Sequence, residues 1–388
     1  LGAVNSGQQN TRGCFMADAG NSPVVASNRV MAVDALRGFD MFWIVGGQEL
    51  ALAVAKMFAD PLPPTVARQF EHVEWEGFVA WDLIMPLFLF VVGVAMPFSF
   101  GRRIEKGESK QDMLRKVIRR TLVLFVLGMA VQGNLLQFKL STLHIYCNTL
   151  QAIAAGYFVS SLLLLYTGIV FQVLFAAAML VGFWALVMFV PVPGYGTGTL
   201  RPDANLALAV DELILGRFRD GTSYTWILSS MTFTASVLLG VFGGEVLRSN
   251  RSQGSKFAVL TGLGFASLAA GWIWAEYLGF PIIKHIWTSS MTLWAAGWSY
   301  LLLALFYLLI DIWGLRRWAF PFVVIGMNAI TIYVAVHFIP FRTISEGLVG
   351  GLASHLGRAG PPTIEFGAVA LGWLALYHMY RQKIFLRI

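Results

Sequence analysis

The stretch that decides the fold runs from residue 71 to residue 98 and reads Glu71-His-Val-Glu-Trp-Glu-Gly-Phe-Val-Ala-Trp-Asp-Leu-Ile-Met-Pro-Leu-Phe-Leu-Phe-Val-Val-Gly-Val-Ala-Met-Pro-Phe98. Its apolar part is long enough to enter a bilayer. His72 stands just before that part, and Asp82 stands inside it. Ionisable side chains are costly at such a position, so chains that keep them usually use them. Because histidine exchanges a proton near neutral pH, the stretch predicts proton chemistry at a membrane face.

Composition places the whole chain in a membrane. Of its 388 residues, 57% are hydrophobic and only 13% are charged, whereas a soluble protein carries about 25% charged residues. Apolar stretches of about 20 residues, the length that crosses a bilayer as a helix, recur from residue 35 to the end. The sequence therefore predicts an all-α, polytopic membrane protein surrounded by lipid.

We predict about ten transmembrane helices, with both termini in the cytoplasm. The predicted spans are 35–58, 77–100, 116–134, 143–166, 168–190, 225–247, 257–278, 288–312, 318–340 and 363–382. With this topology the inner segments hold about twice as many Lys and Arg residues as the outer segments, as the positive-inside rule requires. His72 then lies on the outer face.

Charge and cysteine content exclude several other classes. The net charge of +7 does not indicate nucleic-acid binding, because the basic residues lie between apolar spans and not in one soluble domain. The two cysteines, Cys14 and Cys147, form no disulfide framework and no metal motif, so no metal is expected. Residues 1–29 are rich in Gly, Asn and Ser and read as a polar flexible tail, which leaves 30–388 as the transmembrane domain.

The first predicted span carries three polar residues. Arg37 and Asp40 are three residues apart, a spacing that allows an ion pair on a helix, and Asp34 can also reach Arg37. Spacing alone favours a structural pair, and the alternative is that these groups line an internal cavity. Gln48 is either a hydrogen-bond partner between helices or an amide that faces a substrate.

Asp82 needs a partner inside the bilayer, because a buried carboxylate is paired or changes its pKa. His72 is a candidate partner, and a carboxylate that orients a histidine ring is a recurring device in general-base catalysis. The alternative is an Asp82 that bonds to a neighbouring helix in a purely structural role.

Two other helices carry polar stripes. His144, Asn148 and Gln151 are spaced to share one face of the fourth helix, which must face protein or a water-filled cavity. Asn328 and Tyr333 give the ninth helix similar polar content. Each stripe fits a ligand site or simple contact between helices.

Other cationic and aromatic positions also allow two interpretations. Lys284 contacts an anionic group or marks the interface, and Trp287 is a candidate site residue or an interfacial belt residue. The basic segment at 102–120 follows from the positive-inside bias, and Arg119 and Arg120 are placed to attract an anionic ligand as well. The sequence contains no glycine-rich phosphate loop, which argues against an ATP-driven pump.

The largest outer loop, at 191–224, is rich in Pro and Gly at its start and then has a helix-like piece at 207–215. It is consistent with a lid or with a connector, and connectors are the more common case.

Five motifs in order resemble the heparan-α-glucosaminide N-acetyltransferase family, which comprises a lysosomal transmembrane acetyltransferase and bacterial relatives. The motifs are Val33-Asp-Ala-Leu-Arg-Gly-Phe-Asp40, the segment from His72 to Gly93, Leu150-Gln151 with Tyr157-Phe158, Lys284-His-Ile-Trp-Thr288, and Gly326-Met-Asn-Ala-Ile-Thr-Ile-Tyr333. The resemblance extends from about residue 30 to the end. Two positions depart from the family pattern, Gln48 in place of an asparagine and Ile145-Tyr-Cys-Asn148 in place of Arg-Ile-Pro-Gly, and they concern the acceptor more than the donor.

The resemblance implies an acetyl transfer across a bacterial inner membrane, from cytosolic acetyl-CoA to the amine of a glucosamine-type sugar outside. It places the catalytic histidine at His72, the supporting carboxylate at Asp82, and further site residues at Asn328 and Tyr333. It also implies a homodimer. Arg37, Asp40, Arg119 and Arg120 are then candidates for contact with the acetyl-CoA, and Gln48, Asn148, Gln151, Lys284 and Trp287 for contact with the acceptor.

The sequence leaves three alternatives open. The first is a glycan O-acetyltransferase, in which the acceptor group is a hydroxyl instead of an amine. A transporter of sugars or lipid-linked glycans fits polar stripes inside ten helices equally well. A structural membrane subunit would leave His72 and Asp82 without any cavity. Within the acetyltransferase, His72 is either a general base or the group that accepts the acetyl, with Asn148, Gln151 or Asn328 as oxyanion donors.

Overall fold

The computed structural model of the chain describes residues 30–385, and the predicted tail at 1–29 lies outside them. The helices, in chain order, are α1 (Met31–Phe42), α2 (Gln48–Phe58), α3 (Pro64–Ala67), α4 (Ile84–Glu105), α5 (Lys110–Val131), α6 (Thr149–Tyr166), α7 (Ile169–Phe189), α8 (Leu206–Leu215), α9 (Ser230–Arg248), α10 (Gln253–Tyr277), α11 (Ser289–Phe306), α12 (Phe320–Met327), α13 (Ala329–Phe338), α14 (Phe341–Ala353) and α15 (Gly360–Arg381). One π-helical turn, Trp43–Gly47, joins α1 to α2, and another, Tyr307–Ile312, extends α11. Short 3-10 turns lie at Arg68–Phe70, Ala80–Leu83, Leu135–Gln137, Gly216–Phe218 and Gly357–Ala359. Two short antiparallel strands, β1 (Leu200–Arg201) and β2 (Ala204–Asn205), precede α8.

Seven helical stretches between residues 30 and 385 are long and apolar enough to cross a membrane. They are Met31–Phe58, Ala80–Glu105, Thr149–Tyr166, Ile169–Phe189, Ser230–Arg248, Gln253–Tyr277 and Ser289–Ile312. The pair α12–α13, bent by 77°, is an eighth candidate. The described chain thus has the architecture of a helical, multi-pass membrane protein. Helices α5 and α15 occupy the third and tenth predicted spans. Both must cross the membrane as well if the count is ten. The count of ten and the cytoplasmic position of the termini stay predictions.

The fourth predicted span begins later than the sequence indicated. Helix α6 starts at Thr149 because Asn148 caps it: the residue is extended and its Oδ1 accepts the Leu150 N–H at 2.7 Å. Asn is among the strongest N-cap residues. The prediction that His144 shares a helical face with Asn148 and Gln151 was therefore wrong, since His144 lies before the helix.

The ion pair in α1 also differs from the first expectation. Arg37 pairs with Asp34 at 3.6 Å. Asp40 is fully buried, and its carboxylate oxygens have no hydrogen-bond partner among the described residues. The predicted alternative, Arg37 with Asp34, is thus the pair that forms.

The centre of the bundle is α4, whose residues from Leu87 to Val94 are almost completely buried. It packs closely on α9 through glycines. A Cβ at Gly93 would lie 2.0 Å from the Val237 carbonyl oxygen, and a Cβ at Gly240 would lie 2.0 Å from the Phe90 carbonyl oxygen. Such backbone contact is typical of membrane helix pairs, and it fixes the position of α4 relative to its neighbours.

Candidate active site

A short pairing between two loops brings the site residues together. The Gly77 N–H donates to the Ile282 carbonyl at 2.9 Å, and Glu76 forms an isolated antiparallel bridge with Ile283. His72 lies four residues before Glu76 in the first loop, and Lys284 directly follows Ile283 in the second loop. Two segments about 200 residues apart therefore meet, and no local spacing could have indicated it.

His72, Asp82 and Lys284 form a compact cluster. His72 Nδ1 lies 2.7 Å from Asp82 Oδ1, and Lys284 Nζ lies 3.3 Å from the same oxygen. The second oxygen of Asp82 accepts the Val79 N–H at 3.2 Å, which fixes the carboxylate at the start of the turn that leads into α4. The predicted contact between His72 and Asp82 is thus present, and Lys284 is its third member.

The cluster has a defined arrangement of protons. His72 Nδ1 lies 2.7 Å from the Asp82 oxygen and 3.2 Å from Lys284 Nζ. Because an ionised carboxylate only accepts, the shorter contact assigns the proton to Nδ1, which donates it to Asp82. In the neutral ring Nε2 then keeps its lone pair. The His72 side chain is 44% exposed, while those of Asp82 and Lys284 are 2% and 6% exposed. Burial lowers the pKa of Lys284 to about 8, although the attraction of Asp82 opposes that shift. The arrangement can take up a proton at an accessible nitrogen above a buried ion pair.

His72 opens onto a cavity of about 720 Å³, called here the histidine cavity. This volume lies in the range that holds small ligands. Its wall is a mixture of aromatic, charged and polar side chains that includes His72, Trp81, Lys284, Gln132, Cys147, Tyr224, Trp226, Tyr333, Glu49 and Glu365. The mixture suits a polar ligand with some apolar surface.

A second cavity, of about 600 Å³, is strongly basic and is called here the basic cavity. Seven cationic side chains line it, namely Arg37, Arg102, Arg103, Lys106, Lys116, Arg119 and Arg120, against two carboxylates, Asp34 and Glu108. Arg120 lies over the Tyr157 ring at 4.5 Å. Arg103 Nη1 and Arg120 Nε are buried and have no hydrogen-bond partner among the described residues. Buried guanidinium donors without partners favour an anionic ligand, because arginine binds phosphate oxygens well.

The same helices line both cavities with opposite halves. On α4, Ile84 and Met85 line the histidine cavity, while Phe88 and the residues after it line the basic cavity. On α13, Ile330 lines the basic cavity and Tyr333 the histidine cavity. The first span and α6 are divided in the same way. The two cavities therefore lie one after the other along a shared set of helices.

The structure divides the predicted site residues between these cavities. His72, Lys284 and Tyr333 line the histidine cavity, with Asp82 directly behind His72. Arg37, Arg119, Arg120 and Asn328 line the basic cavity. Asn328, which the resemblance placed near Tyr333 in the site, stands at the bend between α12 and α13 and thus faces the other cavity.

Asn148 and Gln151 are completely buried, and their side chains form hydrogen bonds to neighbouring groups of the protein. Asn148 Nδ2 donates to Tyr333 Oη at 3.2 Å and to Gln132 Oε1, so Asn148 lies behind two residues of the histidine cavity. Gln151 Oε1 accepts the Cys147 N–H at 2.9 Å. Their direct contact with a substrate stays a prediction, while their positioning of the cavity wall is visible.

Three more predicted residues do not line either cavity. Gln48 Nε2 donates to the Phe70 carbonyl at 2.6 Å and ties α2 to the loop before His72. Trp287 is 2% exposed and donates to Ser236 Oγ at 3.2 Å, so it is a core residue and not an interfacial belt residue. Asp40 is buried within α1.

Sequence reasoning missed several residues of the histidine cavity. Tyr224 and Trp226 come from the segment after α8, at the end of the loop for which a connector was favoured. Glu49 and Glu365 lie at the cavity from α2 and α15. Only the aromatic content of the segment around Tyr224 gave a signal, and spacing could not show which cavity it joins. Within residues 30–385, no three His, Cys, Asp or Glu side chains are grouped so that they could hold a metal ion.

Comparison with known proteins gives a distant relationship. No family model matches the chain. Heparan-alpha-glucosaminide N-acetyltransferase of Mus musculus is 25% identical over 379 residues, and that of Homo sapiens is 26% identical over 386 residues. Each match covers 82% of this chain and 56% of the relative, so the chain spans about half the length of the curated relatives it matches. These matches support the family resemblance seen in the motifs, as a distant one.

Proposed function

We propose that this chain is a membrane-embedded acetyltransferase that moves an acetyl group from cytosolic acetyl-CoA to the amine of a glucosamine-type sugar on the outer, periplasmic face. One observation carries the proposal: the basic cavity and the cavity of His72 are lined by opposite halves of the same helices. A donor with a phosphorylated head and an acetylated arm fits that arrangement. The names of the two curated relatives agree with it.

The basic cavity would hold the nucleotide of acetyl-CoA. Its arginines and lysines can bind phosphates, and Arg120 and Arg103 each have a buried N–H group that finds no partner within residues 30–385. The acetylated arm would extend between α4 and α13 toward the histidine cavity. With the basic cavity on the cytosolic side, as the distribution of Lys and Arg predicts, the donor reaches the site from where it is made.

His72 would carry the chemistry. The Nε2 lone pair takes a proton from the acceptor ammonium, because an amine must lose a proton before it attacks. The amine nitrogen then bonds to the thioester carbonyl carbon and loses its second proton, the carbon–sulfur bond breaks, and the CoA sulfur leaves and takes up that second proton. The first proton passes from His72 to solvent. Asp82 holds the Nδ1 proton in place and stabilises the imidazolium. The same Nε2 atom would accept the acetyl group in the two-step route.

The test uses purified protein in detergent with radiolabelled acetyl-CoA and glucosamine. The wild type is expected to release CoA and form acetylated sugar, and His72→Ala to lose about 10²-fold or more of that rate, since a positioned base contributes about 10²–10⁴-fold. Acid-labile label on the protein without acceptor would identify the two-step route. Saturable sugar flux in vesicles without release of CoA would overturn the proposal in favour of a transporter, and an undiminished rate in His72→Ala would overturn the assignment of the base.

A further inference from the structure

One wall of the histidine cavity is built from alternate residues of a single segment. Asp220, Thr222, Tyr224 and Trp226 all line the cavity. From Asp220 to Trp226 the lining residues thus recur every second position, so their side chains reach the same cavity. The segment thus presents one face, called here the 220–226 wall, to the space in front of His72.

Backbone hydrogen bonds at the end of the segment hold the 220–226 wall in place. The Thr225 N–H donates to the His285 carbonyl at 3.0 Å. The Trp226 and Ile227 N–H groups donate to the two oxygens of the buried Asp211 at 2.7 and 2.9 Å. Because both sides of the segment are bonded through the backbone, the wall is a preorganised surface.

Tyr224 is fixed as a flat platform. Its ring stacks on His285 with the ring centres 4.3 Å apart and the planes 8° from parallel. His285 Nδ1 in turn lies 2.6 Å from Ser223 Oγ. Burial raises the pKa of Tyr224 to about 12, so the phenol stays neutral and keeps its hydroxyl proton. The ring is therefore a rigid aromatic surface with a hydroxyl donor at its edge.

Trp226 adds a donor that the protein does not use. It is 5% exposed, and its indole N–H has no hydrogen-bond partner among the described residues. A buried N–H without a partner is costly unless a ligand or water accepts it. Asp220 and Thr222 add carboxylate and hydroxyl groups at the more exposed end of the wall.

We propose that the 220–226 wall is the acceptor subsite and that it selects a pyranose ring, with Tyr224 stacked on the ring's C–H face and its polar neighbours bonded to ring hydroxyls. A pyranose has both an apolar face and a rim of hydroxyls, which is the combination that this wall complements. The inference rests on the proposed function and adds to it the residues that would bind the sugar ring. The wall and not His72 then determines which sugar is acetylated.

Direct binding tests the subsite independently of catalysis. Calorimetry of the wild type with glucosamine and without acetyl-CoA measures sugar binding in the absence of turnover, and the Tyr224 variants then show what the wall contributes. Tyr224→Ala is expected to weaken sugar binding about tenfold, which corresponds to about 1.4 kcal/mol. Tyr224→Phe keeps the ring and should keep most of the binding. The matched control is Tyr195→Ala, an exposed tyrosine of the same loop region that does not line the cavity.

Kinetics give a second readout. In the active protein, Tyr224→Ala should raise the KM for the sugar and leave the KM for acetyl-CoA unchanged. Equal sugar binding by the wild type and by Tyr224→Ala, with both proteins equally stable to heat, would overturn the subsite even if acetyl-CoA turnover is found. Conversely, a wild type that binds sugar through Tyr224 but releases no CoA would overturn the proposed function and retain the subsite.

Discussion

At the scale of single residues, Asp82 is the organising group of the candidate site. One of its oxygens meets both His72 and Lys284, and the other meets the backbone at Val79. A buried carboxylate with this set of donors is held in one orientation. Its one negative charge attracts Lys284 and, whenever His72 is protonated, the imidazolium as well, and this attraction is stronger inside the protein than in water.

Replacing Asp82 by Asn tests that role. The amide has no charge, so Lys284 loses its anionic partner and a protonated His72 is no longer stabilised. We expect kcat/KM for acetyl transfer to fall by about 10²-fold or more, since the base then works poorly. The measurement is CoA release by purified protein at matched folded concentration. Glu74→Gln, at an exposed residue of the same loop, is the control, and equal loss in both variants would contradict the role of Asp82.

Lys284 should set an alkaline limit on activity. Because burial lowers its pKa to about 8, the ammonium is present below that pH and pairs with Asp82, and it is lost as the pH rises above 8. Activity with one fixed acceptor should therefore decline above about pH 8. In Lys284→Arg the guanidinium stays charged to pH 12 or so, and the alkaline decline should move to higher pH.

A matched control for this pH profile is Lys139→Arg, at an exposed lysine far from the cluster in sequence. Its profile should coincide with that of the wild type. An alkaline decline at the same pH in wild type and Lys284→Arg would show that another group is responsible.

The residue scale also shows how far sequence reasoning extends. The cost of an ionisable group in an apolar run was sufficient to make His72 a candidate partner of Asp82, ten residues away. Lys284 was predicted to contact an anionic group or to mark the interface, but the anion could not be identified, because the contact with Asp82 spans 202 residues and depends on the pairing of two loops. Hydropathy and spacing contain no information on such a pairing.

At the scale of helices, apolar length predicted where most helices lie but not how they start or bend. Asn148 caps α6 five residues later than the apolar run indicated. The 77° bend between α12 and α13 has no proline at its centre, so the sequence did not predict it. That bend divides Asn328 from Tyr333 and places them at different cavities, so the two residues of one motif serve different parts of the molecule.

Close packing of α4 on α9 is the feature at the scale of helices that mutation tests most directly. A Cβ at Gly240 would lie 2.0 Å from the Phe90 carbonyl oxygen, which cannot move without shifting α4. We expect Gly240→Ala to lower the yield of folded protein and its melting temperature, with a cost of about 1–3 kcal/mol, as for overpacked cores. Thermal unfolding in detergent, followed by size-exclusion chromatography, measures both.

Gly262→Ala is the matched control, because Gly262 also lies in a helix but has open space where its Cβ would stand. Alanine there should be neutral or slightly stabilising, given its higher helix propensity. Similar melting temperatures for Gly240→Ala and Gly262→Ala would show that the two helices are not in backbone contact.

At the scale of the whole molecule, the two cavities are separated by a thin partition. On α4, Met85 and Phe88 line different cavities although they are three residues apart, which is about 4.5 Å of helix rise. Ile330 and Tyr333 on α13 show the same separation. On both helices the linings of the two cavities are therefore about one helical turn apart, which is the distance that an acetyl group would have to cross in the proposed reaction.

Val92 allows this route to be tested from the wall of the basic cavity, without changing any of its charged side chains. It lines the basic cavity one turn from Phe88 on the same face of α4, so a phenylalanine there should narrow the space between the basic side chains and the histidine cavity. We expect Val92→Phe to lower acetyl transfer at least tenfold, because the arm can no longer reach His72. Binding of adenosine 3′,5′-bisphosphate to the basic cavity and of glucosamine to the histidine cavity should both persist.

Val92→Ala should transfer at the wild-type rate or faster, and Val126→Phe, at an exposed position on α5, controls for the added ring. Transfer at the wild-type rate by a stably folded Val92→Phe would mean that the acetyl group passes between the two faces by a path that does not run along α4.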